Sequence, residues 1–203
     1  LKMHIGLDFD NTIVCYDAIV HQHAVAAELV PENTPVSKRA VRDYLQANGQ
    51  GDIWTEMQGY IYGVAVKDAS PFPQLHAFLS ECTDREIHLS IVSHKTPKPH
   101  LGAPYDLHNA AREWLAQQGI LRSVGGVVDD DSVFFEHTRK EKVERIAHRD
   151  IDLFVDDLPE VFKEAGFPKA TQAILFDPNR EPLDWKGSRV EGWGDVLEVE
   201  CSL

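Results

Sequence analysis

Near the start of the chain, Ile5-Gly6-Leu7-Asp8-Phe9-Asp10 runs from a short apolar stretch straight into two acids that flank one aromatic. A brief, nearly continuous apolar run is what a strand buried on both faces looks like, and such strands belong to parallel sheets. Side chains alternate along a strand, so Asp8 and Asp10 point to the same side. Two like charges at a strand end repel, and a fold accepts them there when a cation lies between them or one carries a proton. The stretch therefore marks a site, and it needs a sheet to deliver it.

The rest of the chain supplies that sheet after a delay. Asp17 to Val30 reads as a helix stopped by Pro31, Ser37 opens a second helix closed by Asn48-Gly49, and Ile53, Trp54, Met57, Tyr60 and Ile61 mark a third. Trp54, Tyr60 and Tyr62 read mainly as core residues of this segment. Ser70-Pro71-Phe72-Pro73 then punctuates the chain. Beyond it come a helix at Gln74 to Glu81, a strand at Ile87 to Val92, a helix at Asp106 to Gln118 and a helix opening at Thr138. A strand at Ile151 to Val155, a helix at Pro159 to Ala165 and a strand at Ala173 to Phe176 complete the pattern. Strands alternating with helices at this spacing predict an α/β fold, a Rossmann-like parallel sheet with helices on both faces. The all-helical stretch is then an insertion at about residues 16–68, and residues 1–15 and 69–203 form the core.

Three later stretches echo the first. The strand His88 to Val92 delivers Ser93 to its C-terminal end, where open α/β sheets place ligand groups. Thr138-Arg139-Lys140-Glu141 has the form of a capping box, so a helix begins at Arg139. A cation in that first turn opposes the helix dipole and calls for a reason; Lys140 lies there, and Lys142 is the alternative. Ile151-Asp152-Leu153-Phe154-Val155-Asp156-Asp157 is again a buried-type strand ending in acids. Carboxylates brought together from separate strand ends suit magnesium, which prefers hard oxygen ligands in an octahedron. Spacing leaves open whether Asp156 or Asp157 is the direct ligand, and Glu160 is placed to support it.

Asp-Phe-Asp-Asn-Thr after a hydrophobic strand resembles the first signature of the haloacid dehalogenase-like (HAD) hydrolases, and Ser93, the Lys140 segment and Asp156-Asp157 follow in that family's order. The resemblance covers nearly the whole chain and places a small helical cap in the insertion. It implies that Asp8 is the nucleophile, forming an aspartyl-phosphate, and that Asp10 is the general acid and base. Ser93, Lys140 and Thr12 would contact the phosphoryl group. Mg²⁺ would sit on Asp8, the Asp10 backbone carbonyl, and Asp156 or Asp157. The acid at position 10 points to phosphate chemistry, since the dehalogenases of the superfamily lack it. The expectation is a phosphomonoester hydrolase acting on a small phosphorylated metabolite such as a nucleotide or sugar phosphate. A phosphotransferase or mutase is the alternative, and a non-catalytic binding module ranks below both.

Composition bounds the partners. With 203 residues and a formal charge of −13, the chain lacks the basic surface that phosphate-backbone or anionic-membrane binding requires. No nucleic acid or membrane partner is expected, and the oligomeric state is open. Cys15, Cys82 and Cys201 have no paired spacing, and no stretch reads as a membrane span or signal peptide, so a cytoplasmic setting is expected. Asp129-Asp130-Asp131 reads as a solvated acidic loop, and the histidines are assigned no metal. The segment after Ser93, with His94, Lys95, Lys98 and His100, is locally basic and suits a second anionic group of the substrate.

Overall fold

The computed structural model describes residues 2–200, so Cys201 lies outside the described residues. The chain divides into two compact units. One comprises Leu1–Val14, Pro71–Lys95 and Gly119–Leu203; the other comprises Cys15–Ser70 and Thr96–Gln118.

The first unit is built on a six-stranded parallel sheet. In chain order the strands are β1 (His4–Leu7), β2 (Val14–Cys15), β3 (Ser70–Pro71), β4 (His88–His94), β5 (Val133–Glu136), β6 (Leu153–Asp156), β7 (Gln172–Phe176) and β8 (Ser188–Val190). The large sheet runs β5-β4-β1-β6-β7-β8, and β2 and β3 stand outside it where the chain passes between units. The helices are α1 (Asp17–Ala26), α2 (Lys38–Ala47), α3 (Gly51–Gly63), α4 (Leu75–Asp84), α5 (Leu107–Gln117), α6 (Arg139–His148), α7 (Pro159–Phe162) and α8 (Val196–Glu200). β1 is central and fully buried, as its unbroken apolar sequence requires. The fold is the α/β, Rossmann-like parallel sheet that the alternating pattern predicts.

Strand alternation gives the sheet two apolar faces. On one, Val92 and Phe154 pack with Val143 and Ile146 of α6 and Val161 of α7. On the other, Phe176 meets Trp193, and Trp193 meets Phe78 of α4, at ring-centroid distances of 5.2 and 4.7 Å. In β7 Phe176 stands opposite the face that Phe154 occupies, because Phe154 pairs with Ala173 and the two registers run in step. The sheet is thus covered on both sides, and its ligand groups are left to the strand ends.

The edge strands β5 and β8 were absent from the sequence expectation. Val133-Phe134-Phe135 is a three-residue apolar run that ends at Glu136, and β8 is only Ser-Arg-Val. Both are too short to show a period. Helix α1 stops at Ala26 rather than Val30 because Glu28 takes a left-handed φ of 54°. The Glu28 and Leu29 amides turn back to the Val25 and Ala24 carbonyls, a Schellman ending made without glycine.

The helical unit is larger than the expected insertion. Residues Thr96–Gln118, including α5, group with α1, α2 and α3 rather than with the sheet. The reason lies in α3. A Cβ at Gly59 would collide with Pro99, and one at Gly63 with Tyr105. These glycines, which weaken α3 as an isolated helix, let the 96–107 segment lie against it. Trp54 is buried as expected, whereas Tyr60 is 38 % exposed and edge-on to His23. Tyr62 stacks on the buried Tyr16. Among the described residues no helix is long and apolar enough to cross a membrane.

One buried histidine ties β1 to β4. His4 Nε2 lies 2.8 Å from the Ser90 hydroxyl and Nδ1 lies 3.0 Å from the Arg149 carbonyl. Burial, reinforced by the nearby His88, lowers its pKa from 6.5 to about 4. Between those values the unfolded chain binds the extra proton, so stability is present above pH 6.5 and is lost as pH falls toward 4. The contribution is on the order of 2 kcal/mol. Urea unfolding at pH 7.5 and 4.5 should show the parent losing more stability than His4→Gln over that interval.

Candidate active site

The C-terminal ends of β1, β4 and β6 and the start of α6 bring eight charged or hydroxylic side chains together, all within the sheet unit. β1 lies between β4 and β6, so residues that follow the three strands emerge side by side. The Asp8 amide donates to the Val155 carbonyl at 2.9 Å and carries the β1–β6 ladder one residue past the strand. Asp8 is 4 % exposed and Asp156 is fully buried.

Asp8 is held by three donors. Ser93 Oγ donates to Oδ1 at 2.9 Å, Thr12 Oγ1 to Oδ2 at 3.2 Å, and Lys142 Nζ to Oδ1 at 2.6 Å. Lys142 also lies 2.6 Å from Asp156 Oδ2. Burial alone would pull the Lys142 pKa down; the Asp156 and Asp8 carboxylates outweigh it and leave the pKa raised, so the ammonium stays charged. Burial pushes Asp156 the other way, up from the usual carboxylate range, and Lys142 only partly opposes that.

These contacts decide between the two candidate lysines. Lys140 is not in the site: its side chain is 75 % exposed and lies 3.7 Å from Glu144 on the solvated face of α6. Lys142 is 2 % exposed and shares the buried face of α6 with Val143 and Ile146. Helical period explains the difference. Lys142 precedes apolar Ile146 by four residues, whereas Lys140 precedes Glu144 by four. The capping box on Thr138 and Glu141 is present as expected. Ser93 and Thr12, expected to face a phosphoryl group, both donate to Asp8.

Asp10 is held separately. Its Oδ1 and Oδ2 each accept from Lys95 Nζ at 2.9 Å, and Lys95 is 3 % exposed. Sequence reasoning placed Lys95 in a basic substrate-binding loop; the structure instead buries it against Asp10. The available signal was alternation along β4, which puts Lys95 on the same face as Ser93. His94 turns the other way, exposed, with Nε2 3.0 Å from the His137 carbonyl.

A metal ion fits one part of this cluster. Carboxylate oxygens of Asp8, Asp156 and Asp157 lie within 4.8 Å of one another, and among the described residues this is the group of acids so arranged. Asp156 Oδ2 is buried and is met by the Lys142 ammonium at 2.6 Å, a cation it shares with Asp8. Buried carboxylates that outnumber the ammonium between them are what a hard divalent cation satisfies. The Asp10 carboxylate is not in this group, so its backbone carbonyl is what that residue would offer a metal. Glu160 is exposed in the first turn of α7. Asp129 and Asp130 pair with Arg122 and Ser123 on the surface, away from these strand ends.

No protein-family model and no curated protein matches the sequence. Solved structures do match, over nearly the full length of both chains. The HAD hydrolase YfnB of Bacillus subtilis, solved bound to magnesium, aligns over 98 % of each chain at a TM-score of 0.61 and 10 % identity. The chain has the fold of the haloacid dehalogenase-like hydrolases. A predicted phosphoglycolate phosphatase of Haemophilus somnus aligns over 98 % of each chain, with a TM-score of 0.58 and 14 % identity. A 2-haloacid dehalogenase of Pseudomonas syringae covers 100 % of this chain and 99 % of its own, at 0.50 and 12 %. Within this HAD-like fold both phosphatases and dehalogenases occur, so the side chains of this site have to carry the choice between them.

The two lysines of α6 give a direct test of the geometry. In the presence of chelator, Lys142→Met leaves Asp8 and Asp156 buried without their shared cation and should destabilise the protein by about 3–5 kcal/mol. Lys140→Met should change stability by less than about 0.5 kcal/mol. Guanidinium unfolding of the two variants beside the parent measures both.

Proposed function

We propose that the chain is a magnesium-dependent phosphomonoester hydrolase that acts through a phosphorylated Asp8 on a small phosphorylated metabolite. The observation that carries this reading is that the two acids after β1 have separate partners. Asp8 is gripped by Lys142, Ser93 and Thr12, and Asp10 by Lys95. A carbon–halogen bond releases halide, which leaves without a proton. A phosphate ester releases an alkoxide, which needs one, and then needs an activated water. A second carboxylate beside the nucleophile therefore favours the ester.

In the first half of the reaction an Asp8 oxygen attacks phosphorus. The ester P–O bond breaks, its electron pair goes to the leaving oxygen, and the Asp10 carboxyl protonates that oxygen. In the second half the Asp10 carboxylate takes a proton from water as the water attacks phosphorus. The P–O bond to Asp8 then breaks and its pair returns to the carboxylate. Lys142 and Ser93 keep the Asp8 oxygens oriented toward phosphorus. Asp8, Asp156, Asp157 and the Asp10 carbonyl would hold Mg²⁺, which when bound offsets the charge of the phosphoryl oxygens. Four carboxylates face two ammonium groups in this cluster, so a divalent cation also restores its balance.

The helical segment of residues 16–68 is assigned to leaving-group selection, the role of a cap, joined by residues 96–118.

Phosphate release from a panel of phosphomonoesters, with Mg²⁺ and with chelator, tests the reading. Turnover should require the metal and fall by at least about 10³-fold in Asp8→Asn. Turnover that survives in that variant would remove Asp8 from the nucleophile's role.

A further inference from the structure

We propose that Lys95 is a positioning residue, whose buried ammonium, bonded to both oxygens of Asp10, fixes the carboxyl that exchanges protons with the leaving group and the attacking water. The inference rests on the phosphatase reading and deepens it at a residue the four-part sequence pattern does not contain.

Burial is the first argument. A lysine with 2 % of its side chain exposed is costly unless its charge is met, and an ion pair this deep adds little over an apolar pair of the same size. A purely structural role is therefore a weak reason for placing it there. Its location supplies a better one. Lys95 follows directly on β4, two residues after the Ser93 that holds Asp8, and its partner is the second acid after β1.

Geometry is the second. Lys95 Nζ lies 2.9 Å from each Asp10 oxygen and 5.3 Å above the ring of Phe9, the residue between the two acids. Its own amide donates to the Glu136 carbonyl at 2.9 Å, so the stem is anchored in the β4–β5 ladder. On the other side, Asn11 takes a left-handed φ of 61°, and the Ile13 and Val14 amides return to the Phe9 carbonyl. The backbone around Asp10 is a closed turn. A carboxyl in a closed turn, met at both oxygens by one ammonium, is confined to one orientation. The Asp10 side chain nevertheless stays 16 % exposed, so the carboxyl is not sealed from a substrate.

The third argument is the division of cations. Lys142 is committed to Asp8 and Asp156. Without a second ammonium, Asp10 would compete for Lys142 or turn toward the metal-ligating acids. Lys95 keeps the proton carrier out of the metal group. When the carboxyl is protonated, one oxygen presents its proton to the leaving oxygen and the other still accepts from Lys95; when water has returned the proton, the same arrangement holds.

The test compares an alkyl phosphate with p-nitrophenyl phosphate, whose phenolate leaves readily without a proton. In Lys95→Met, the single-turnover rate of leaving-group release should fall about 10²-fold for the alkyl ester and change by less than about 3-fold for the nitrophenyl ester, while the water attack common to both slows equally. Lys95→Arg, which keeps a bidentate cation, should recover most of the loss. In an Asp10→Asn background, Lys95→Met should add no further loss on the alkyl ester, since it acts through Asp10. Equal falls in the release step on both esters would overturn the proposal in favour of a structural role. A rise in KM with kcat unchanged would overturn it in favour of direct substrate contact. If Lys95→Met does not fold, Lys95→Gln is read by the same criteria. A parent that hydrolyses neither ester with Mg²⁺ strikes the phosphatase reading itself, whereas an active parent with equal losses strikes only the role of Lys95.

Discussion

The contact on which the site depends is the one Lys142 makes with Asp8 and Asp156. Two carboxylates at the ends of neighbouring strands, both in the buried interior, cannot both stay ionised without a cation. Strand order places them side by side: β1 and β6 are neighbours, in register from Ile5 with Leu153 to Leu7 with Val155. Helix α6 packs on the Phe154 face and carries Lys142 to within 5.4 Å of that ring and 2.6 Å of both acids. The parallel sheet, the capped helix and the apolar layer between them are what hold a charge cluster that would otherwise disperse.

A second lysine repeats the device one position outward. Lys95 answers Asp10 as Lys142 answers Asp8, so the two acids after β1 enter separate environments although one residue separates them. In this account separation is what gives two chemically identical groups different tasks. The nucleophile is confined by three donors beside the metal-ligating acids. Asp10 is met by Lys95 and keeps a partly open face. The excess of carboxylates over ammonium groups leaves the cluster prepared for a hard cation.

Much of this was legible in the sequence. The apolar runs before Asp8, Ser93 and Asp156 specify buried parallel strands, and their polar ends specify where a ligand is met. What escaped did so for physical reasons. The choice between Lys140 and Lys142 turns on helical face, which the apolar residues Val143 and Ile146 reveal once they are used to phase the helix. Lys95 looked like a loop cation because nothing in its neighbourhood shows that its partner lies 85 residues away. The strands β5 and β8 are edge strands too short for a period, and α1 ends on Glu28, a residue that does not signal a left-handed turn. The 96–118 segment joins the helical unit through Gly59 and Gly63, whose cost to α3 is visible locally while their use is not.

The central claim is that Asp8 carries the phosphoryl group. Rapid acid quench during turnover of a preferred ester, followed by borohydride reduction and peptide sequencing by mass spectrometry, tests it most directly. An acyl phosphate on an aspartate is reduced to homoserine, so the account predicts homoserine at position 8 and at no other acid. Reduction at another carboxylate, or a phosphoryl group on a hydroxyl or imidazole side chain, would contradict it.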